Sequence, residues 1–122
     1  SITIDTFGSC QNYTGSSAFR QQWSGSGWVV RVAVAAGSYT GAGTYDDTTG
    51  ATVTLSRNVA NGEFFQAGTA QGHTVSVVME GDDATVAWGS ATVSGMTDTA
   101  AGGGTVTLDP ATLPVWCSSI QH

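Results

Sequence analysis

Alternation of side-chain character constrains the fold of this chain more than any other feature. In "WVVRVAVAA" (28–36), Trp28, Val30, Val32 and Val34 fall on one side, with Val29, Arg31, Ala33 and Ala35 on the other. "ATVTLSR" (51–57) sets Val53 and Leu55 against outward threonines, and "HTVSVVME" (73–80) repeats the pattern through Val75, Val77 and Met79. "ATVAWGSATVSG" (84–95) alternates about Trp88–Gly89, and "GTVTLD" (104–109) places Val106 and Leu108 inward. Successive Cβ atoms of a strand point to opposite faces of its sheet, so a period of two marks strands with one face buried. Val and Thr suit that role, because branching at Cβ fits a pleated surface.

Turn signals separate these runs: "AAGS", "TTGA", "ANGE", "EGDD" and "SGMTDTAAGGG". Glycine supplies the positive φ that tight hairpins require. "GSYTGAGTYDD" (37–47) reads in the same way, as a glycine bend from the 28–36 strand into another strand segment. Tyr39 and Tyr45, six apart, share a side of that segment if it is extended. Pro110 and Pro114 bracket the last strand and suit an edge, since proline cannot donate to a ladder. Helical spacing occurs only in "SSAFRQQW" (16–23), with Phe19 and Trp23 four apart behind a Ser16 cap, and strand or loop is preferred there. Seven or so short strands without a fixed repeat predict an all-β, immunoglobulin-like β-sandwich, with a small eight-stranded β-barrel as runner-up. No linker divides the 122 residues, which read as one domain over 1–122.

Charge narrows the partners. Charged residues make up 10% of the chain, against about 25% in ordinary soluble domains. There is no lysine; Arg20, Arg31 and Arg57 face nine Asp and Glu, for a net charge of −6. A nucleic-acid partner needs clustered Lys and Arg, so that class is excluded, as are anionic membrane surfaces. No apolar run approaches the roughly 20 residues of a transmembrane segment. No signal peptide is visible, as expected of a mature, processed chain.

Cys10 and Cys117 lie near opposite ends, without CxxC or a Cys/His cluster. One disulfide joining the ends is the structural reading, and a pair of buried thiols is the alternative. A bridge closing a loop of about 100 residues is worth roughly 4–5 kcal/mol in the chain-entropy model. It implies an oxidising compartment, hence export to an extracellular or cell-envelope location. The sequon Asn12–Tyr13–Thr14 is chemically a glycosylation acceptor, but the composition reads as bacterial, where it carries nothing.

No catalytic constellation is legible and no cofactor is implied. GxSxG is absent, and the two histidines are His73, beside a turn, and His122. A triad needs a histidine held by a carboxylate and aimed at a hydroxyl; a lone histidine beside a turn reads as a solvated residue. Asp46–Asp47 and Asp82–Asp83 are adjacent pairs. Neighbouring strand side chains diverge, so neither pair alone spans the roughly 5–9 Å between glycosidase carboxyls. Calcium is a better use of such loops; the D-x-[DN]-x-[DN]-G spacing is missing, and turn aspartates are the default. Among the aromatics, Trp28 and Trp88 lie on apolar strand faces and read as core, and Trp116, beside Cys117, would cover the disulfide. Trp23, Tyr39 and Tyr45 remain as candidate contact residues, able to stack on sugar rings.

"AWGSATVSGMTDTAAGGGTVTLDPATLPVWC" (87–117) resembles the C-terminal half of small surface lipoprotein antigens of mycobacteria and related actinobacteria. In that group an extended "G-x-A-T-x-x" segment leads through a polar loop to an alternating strand ending in cysteine, with the partner cysteine near the domain start, as Cys10 is. "YTGAGTY" (39–45) is similar to a phrase in secreted proteins of high-GC bacteria. The likeness covers about half of the chain and rests on Gly/Thr-rich motifs. It departs in the lysine-free composition, the extra tryptophans and the lack of a lipidation cysteine at Ser1. What it implies is an exported, disulfide-closed β-domain without known catalysis, and only the cysteine pair carries over. The expectation is thus a non-enzymatic binding or structural subunit at the bacterial cell surface, including assembly with a protein partner or itself through a lysine-free edge strand. A carbohydrate-binding module using exposed Trp and Tyr is the alternative.

Overall fold

The computed structural model describes residues 4, 8–11, 16–25, 28–58, 64–66, 74–83, 85–95, 97–98, 106–107, 109–118 and 120. The elements among them are strands: β1 (Gly8–Gln11), β2 (Ser17–Gly25), β3 (Trp28–Ala35), β4 (Gly43–Asp46), β5 (Ala51–Asn58), β6 (Phe64–Gln66), β7 (Thr74–Asp82), β8 (Val86–Ser94), β9 (Thr97–Asp98), β10 (Val106–Thr107) and β11 (Ala111–Ser118). The Asn12 sequon, the "ANGE" turn, His73, Leu108 and the glycine run within 100–104 lie outside the described residues.

One antiparallel sheet has the order β1-β2-β3-β5-β6, the second has β11-β8-β7-β4, and β9 with β10 makes a small ribbon. The chain leaves β3 for β4 in the opposite sheet, yet β3 pairs with β5 and β4 pairs with β7. That crossing defines an immunoglobulin-like sandwich: β3, β4, β5, β7 and β8 stand where strands B, C, E, F and G stand in that architecture. Residues 47–50 alone join β4 to β5, and β6 takes the edge position beside β5. Beyond β8 the second sheet gains β11.

The alternation is realised as the core. Trp28, Val30, Val32, Val34, Val53 and Leu55 of the first sheet face Val75, Val77, Met79, Ala87, Ala91, Val93, Leu113 and Val115 of the second, all buried. Each large aliphatic side chain so buried contributes about 1.5–3 kcal/mol of transfer free energy. Of the segment 16–23, ambiguous by spacing, residues 17–23 belong to β2: positions i and i+4 share a face in a strand as well as in a helix, and Phe19 and Trp23 are both buried. Pro114 sits within β11 instead of bounding it, opposite Ser90. Its carbonyl is turned away from β8, where it accepts from Trp23 Nε1 at 3.1 Å.

Cys10 in β1 and Cys117 in β11 are disulfide-bonded, with Cα atoms 5.2 Å apart and a sequence separation of 107. The bridge therefore joins a margin of one sheet to a margin of the other. Beside it lies Gln21, the buried polar side chain of the core. Its Oε1 accepts from the Trp116 backbone N–H at 3.3 Å. The Cys117 sulfur, 3.5 Å from the same oxygen, has no hydrogen to donate once in the disulfide.

Replacing both cysteines (C10S/C117S) is expected to lower the free energy of unfolding by about 4–5 kcal/mol, the loop-closure value for this separation. Urea titration of the variant and the oxidised protein measures it. A loss below about 1 kcal/mol would show that the constraint on the unfolded chain is not what the bridge contributes.

Candidate binding surface

The two-tyrosine bend is a structural corner. After β3, Ser38 N and Tyr39 N both donate to Ala35 O, at 3.0 and 3.1 Å. Gly41 and Gly43 then take φ of 100° and 150°, which a side chain would strain. The Tyr45 hydroxyl donates to Gly41 O at 2.6 Å and accepts from Thr40 N at 2.9 Å. A phenol tied to backbone a few residues upstream is the geometry of a tyrosine corner. Tyr39 stacks on Tyr45 with centroids 5.4 Å apart and meets Phe19 edge-on at 5.7 Å. The Tyr39 hydroxyl donates to Asp82 Oδ2 at 2.6 Å. Burial, reinforced by the hydrogen bond and negative charge of Asp82, pushes the Tyr39 pKa up.

The expectation that Trp23, Tyr39 and Tyr45 form a surface platform is therefore corrected: they are 1%, 6% and 5% exposed. Each polar tip finds a partner inside the fold, which removes the usual cost of burying Tyr or Trp. The two tyrosines do share a side, and it is the inner one.

Three of the four aspartates considered for calcium anchor turns or hold a phenol. Asp46 Oδ1 accepts from Thr48 N, Thr48 Oγ1 and Thr49 Oγ1, at 2.9, 2.6 and 3.1 Å. Asp83 Oδ1 accepts from Thr85 N, Thr85 Oγ1 and Val86 N, at 3.0, 2.8 and 2.9 Å. These are Asx-type turns. The Thr48 hydroxyl, foremost, holds Asp46 below the ordinary carboxylate range, and the Val86 N–H does so for Asp83. Asp47 is exposed beside its turn. No group of three or more His, Cys, Asp or Glu converges among the described residues, and no helix among them is long and apolar enough to cross a membrane.

The aromatic surface lies elsewhere. Trp116 is 64% exposed and Trp88 half-buried, their ring centroids 6.3 Å apart with planes inclined by 34°. Neither expected role holds: Trp88 is not core and Trp116 does not cover the disulfide. Strand parity is the reason. Cys117 must point inward to reach Cys10, so its neighbour Trp116 points outward, and the register pairs Trp116 with Trp88. Adjacent to Trp88 on β7 is Gly81, brought opposite it by a bulge after Met79. The six-membered ring of Trp88 fills the space that a Cβ at Gly81 would need, so the indole lies down across β7. The next row outward is Thr44, Val78, Ser90 and Pro114, followed by Asp46, Ser76, Thr92 and Thr112. Val78 is 39% exposed. The Thr92 and Thr112 hydroxyls are hydrogen-bonded at 3.1 Å, and those of Thr74 and Ser94 also pair. Every outward position described on β8 and β11 is uncharged. The inward demand on Cys117, carried one residue back along β11, was the sequence signal for this face.

Compared with protein-family models, with curated proteins and with solved structures, the chain finds no match.

The raised pKa of Tyr39 gives a pH dependence whose sign is fixed. Its folded value lies above the ordinary 10.0, so the contribution is complete below that pH and is lost as pH rises toward the folded value. Urea midpoints measured from about pH 8 to pH 11 should fall more steeply for the native protein than for Tyr39→Phe, which has no proton to lose. Parallel slopes would remove Tyr39 as the cause. Tyr45→Phe should cost about 1–3 kcal/mol at neutral pH, since it strands Gly41 O and Thr40 N at the corner.

Proposed function

We propose that this chain is an exported, non-enzymatic β-sandwich acting as a binding or structural subunit at the bacterial cell surface, with the outer face of the β11-β8-β7-β4 sheet as its contact surface. The observation that carries this reading is Trp116, 64% exposed beside Trp88 on an uncharged strand pair. A large aromatic left in water is informative in a way that a buried one is not. The edges offer less. On β11, Trp23 Nε1 caps Pro114 O and Gln21 Oε1 takes the Trp116 N–H, so strand addition there meets groups already engaged. β1, β4 and β6 span four, four and three residues, and short edges are poor templates for pairing. Asp46, Asp82 and Asp83, held by hydrogen bonds of the fold, support a non-enzymatic role. The Cys10–Cys117 bond supports export, because disulfides persist in oxidising compartments. The resemblance of 87–117 to actinobacterial surface lipoproteins agrees with that location.

The test is co-sedimentation with envelope fragments of the source bacterium. The native domain should pellet and Trp116→Ala should remain in the supernatant, with its stability unchanged within about 0.5 kcal/mol, as for a surface position. Equal pelleting of the two would overturn the face assignment.

A further inference from the structure

We infer that the Trp88–Trp116 face takes a neutral polysaccharide, with the two indoles as a stacking platform and the hydroxyls of the neighbouring rows as its hydrogen-bonding groups. This rests on the reading of that face as the contact surface. Three properties of the face select the ligand class.

The first is the shape of the aromatic pair. The Trp88 ring occupies the space over Gly81, and Trp116 stands beside it at 6.3 Å with planes inclined by 34°. Together they form a slightly twisted apolar strip reaching from β7 to β11. Sugar rings carry flat patches of C–H bonds, and successive rings of a chain can lie along such a strip. An aromatic pair hidden in a core would instead pack on all sides.

Next comes the setting of the pair. Ser90 and Thr44 lie in the row beside it and Ser76, Thr92 and Thr112 in the row beyond, with Ser118 on its other side. A protein partner wants a continuous apolar patch with depleted polar groups at its centre. Here Val78 and Pro114 are separated by Ser90, so the apolar surface is interrupted by hydroxyls that can both donate and accept. A ligand dense in hydroxyls matches that alternation.

Charge decides between neutral and ionic chains. The outward positions of β8 and β11 hold no ionisable side chain, Asp46 is turned into its own turn, and exposed Glu80 stands at the bulge on the margin. A polycation would find too few carboxylates on this face. An acidic polysaccharide would meet Glu80 and a chain of net charge −6. A neutral chain meets neither penalty, and Glu80 can still accept from its hydroxyls.

Affinity electrophoresis tests the inference, with gels containing hydroxyethyl cellulose, laminarin or mannan as neutral probes and polygalacturonate as the acidic one. The native domain should be retarded by at least one neutral polymer and not by polygalacturonate, and tryptophan emission should shift on titration with the retarding polymer. Trp116→Ala and Trp88→Ala should each weaken retention by about tenfold or more, as truncation of a contact aromatic does, and Trp116→Tyr should keep most of it. Gly81→Ala, whose methyl would displace the Trp88 ring, should weaken retention with Trp116 intact. No retardation by any neutral polymer, or equal retention by polygalacturonate, overturns the ligand class, and undiminished retention of the alanine variants overturns its placement on this face. Light scattering separates this from failure of the parent reading. A dimer, or envelope pelleting, that depends on Trp116 without neutral-polymer binding keeps the face and removes the polysaccharide. Trp116→Ala behaving as native in every assay removes both.

Discussion

The covalent bond between Cys10 and Cys117 ties β1, at the margin of one sheet, to β11, at the margin of the other. Much of the molecule follows from that single link. It fixes Cys117 as an inward residue, and a strand allows only one parity. Leu113 and Val115 therefore enter the core, while Thr112, Pro114, Trp116 and Ser118 face out. The same link holds β11 against β2 closely enough for Gln21 and Trp23 to reach its backbone. One bond thus closes a side of the sandwich, hides the edge of β11 and exposes its tryptophan.

At the opposite margin, β4, the chain uses aromatic packing. Tyr39, Tyr45 and Phe19 form a small cluster whose two hydroxyls satisfy Asp82 and the backbone of the bend. This corner carries the chain from one sheet to the other and so sets the crossing of β3–β5 with β4–β7. The two margins are closed by different chemistry, and between them the outer face of the second sheet stays open. The proposed contact surface is what remains once both ends of the sandwich are secured.

Several features were readable in the residues. The inward sets of 28–36, 51–57 and 73–80 are buried as their alternation requires, and the aspartates beside Thr48 and Thr85 make turns. Trp28 is core as its alternation requires, whereas Trp23, Tyr39 and Tyr45 are buried against expectation, and the reason lies in their polar tips. A tyrosine or tryptophan is amphipathic, so its burial depends on whether a partner for its polar tip exists inside. Asp82 lies 43 residues from Tyr39, and Pro114 lies 91 from Trp23. No local window contains such partners. Trp88 was misassigned because Gly81, which gives its ring room on the outer face, is brought opposite it only by the bulge in β7.

By itself the sequence determined the class of the fold. Alternating Val and Thr, punctuated by glycine, permit strands with one dry face and little else, and two distant cysteines in such a chain can bond only if its ends meet. Tertiary structure alone decided which tryptophans face water. Parity within a strand is a local property, but which parity points inward depends on the facing sheet, the bulge and the cross-link, each set by residues far apart in the chain.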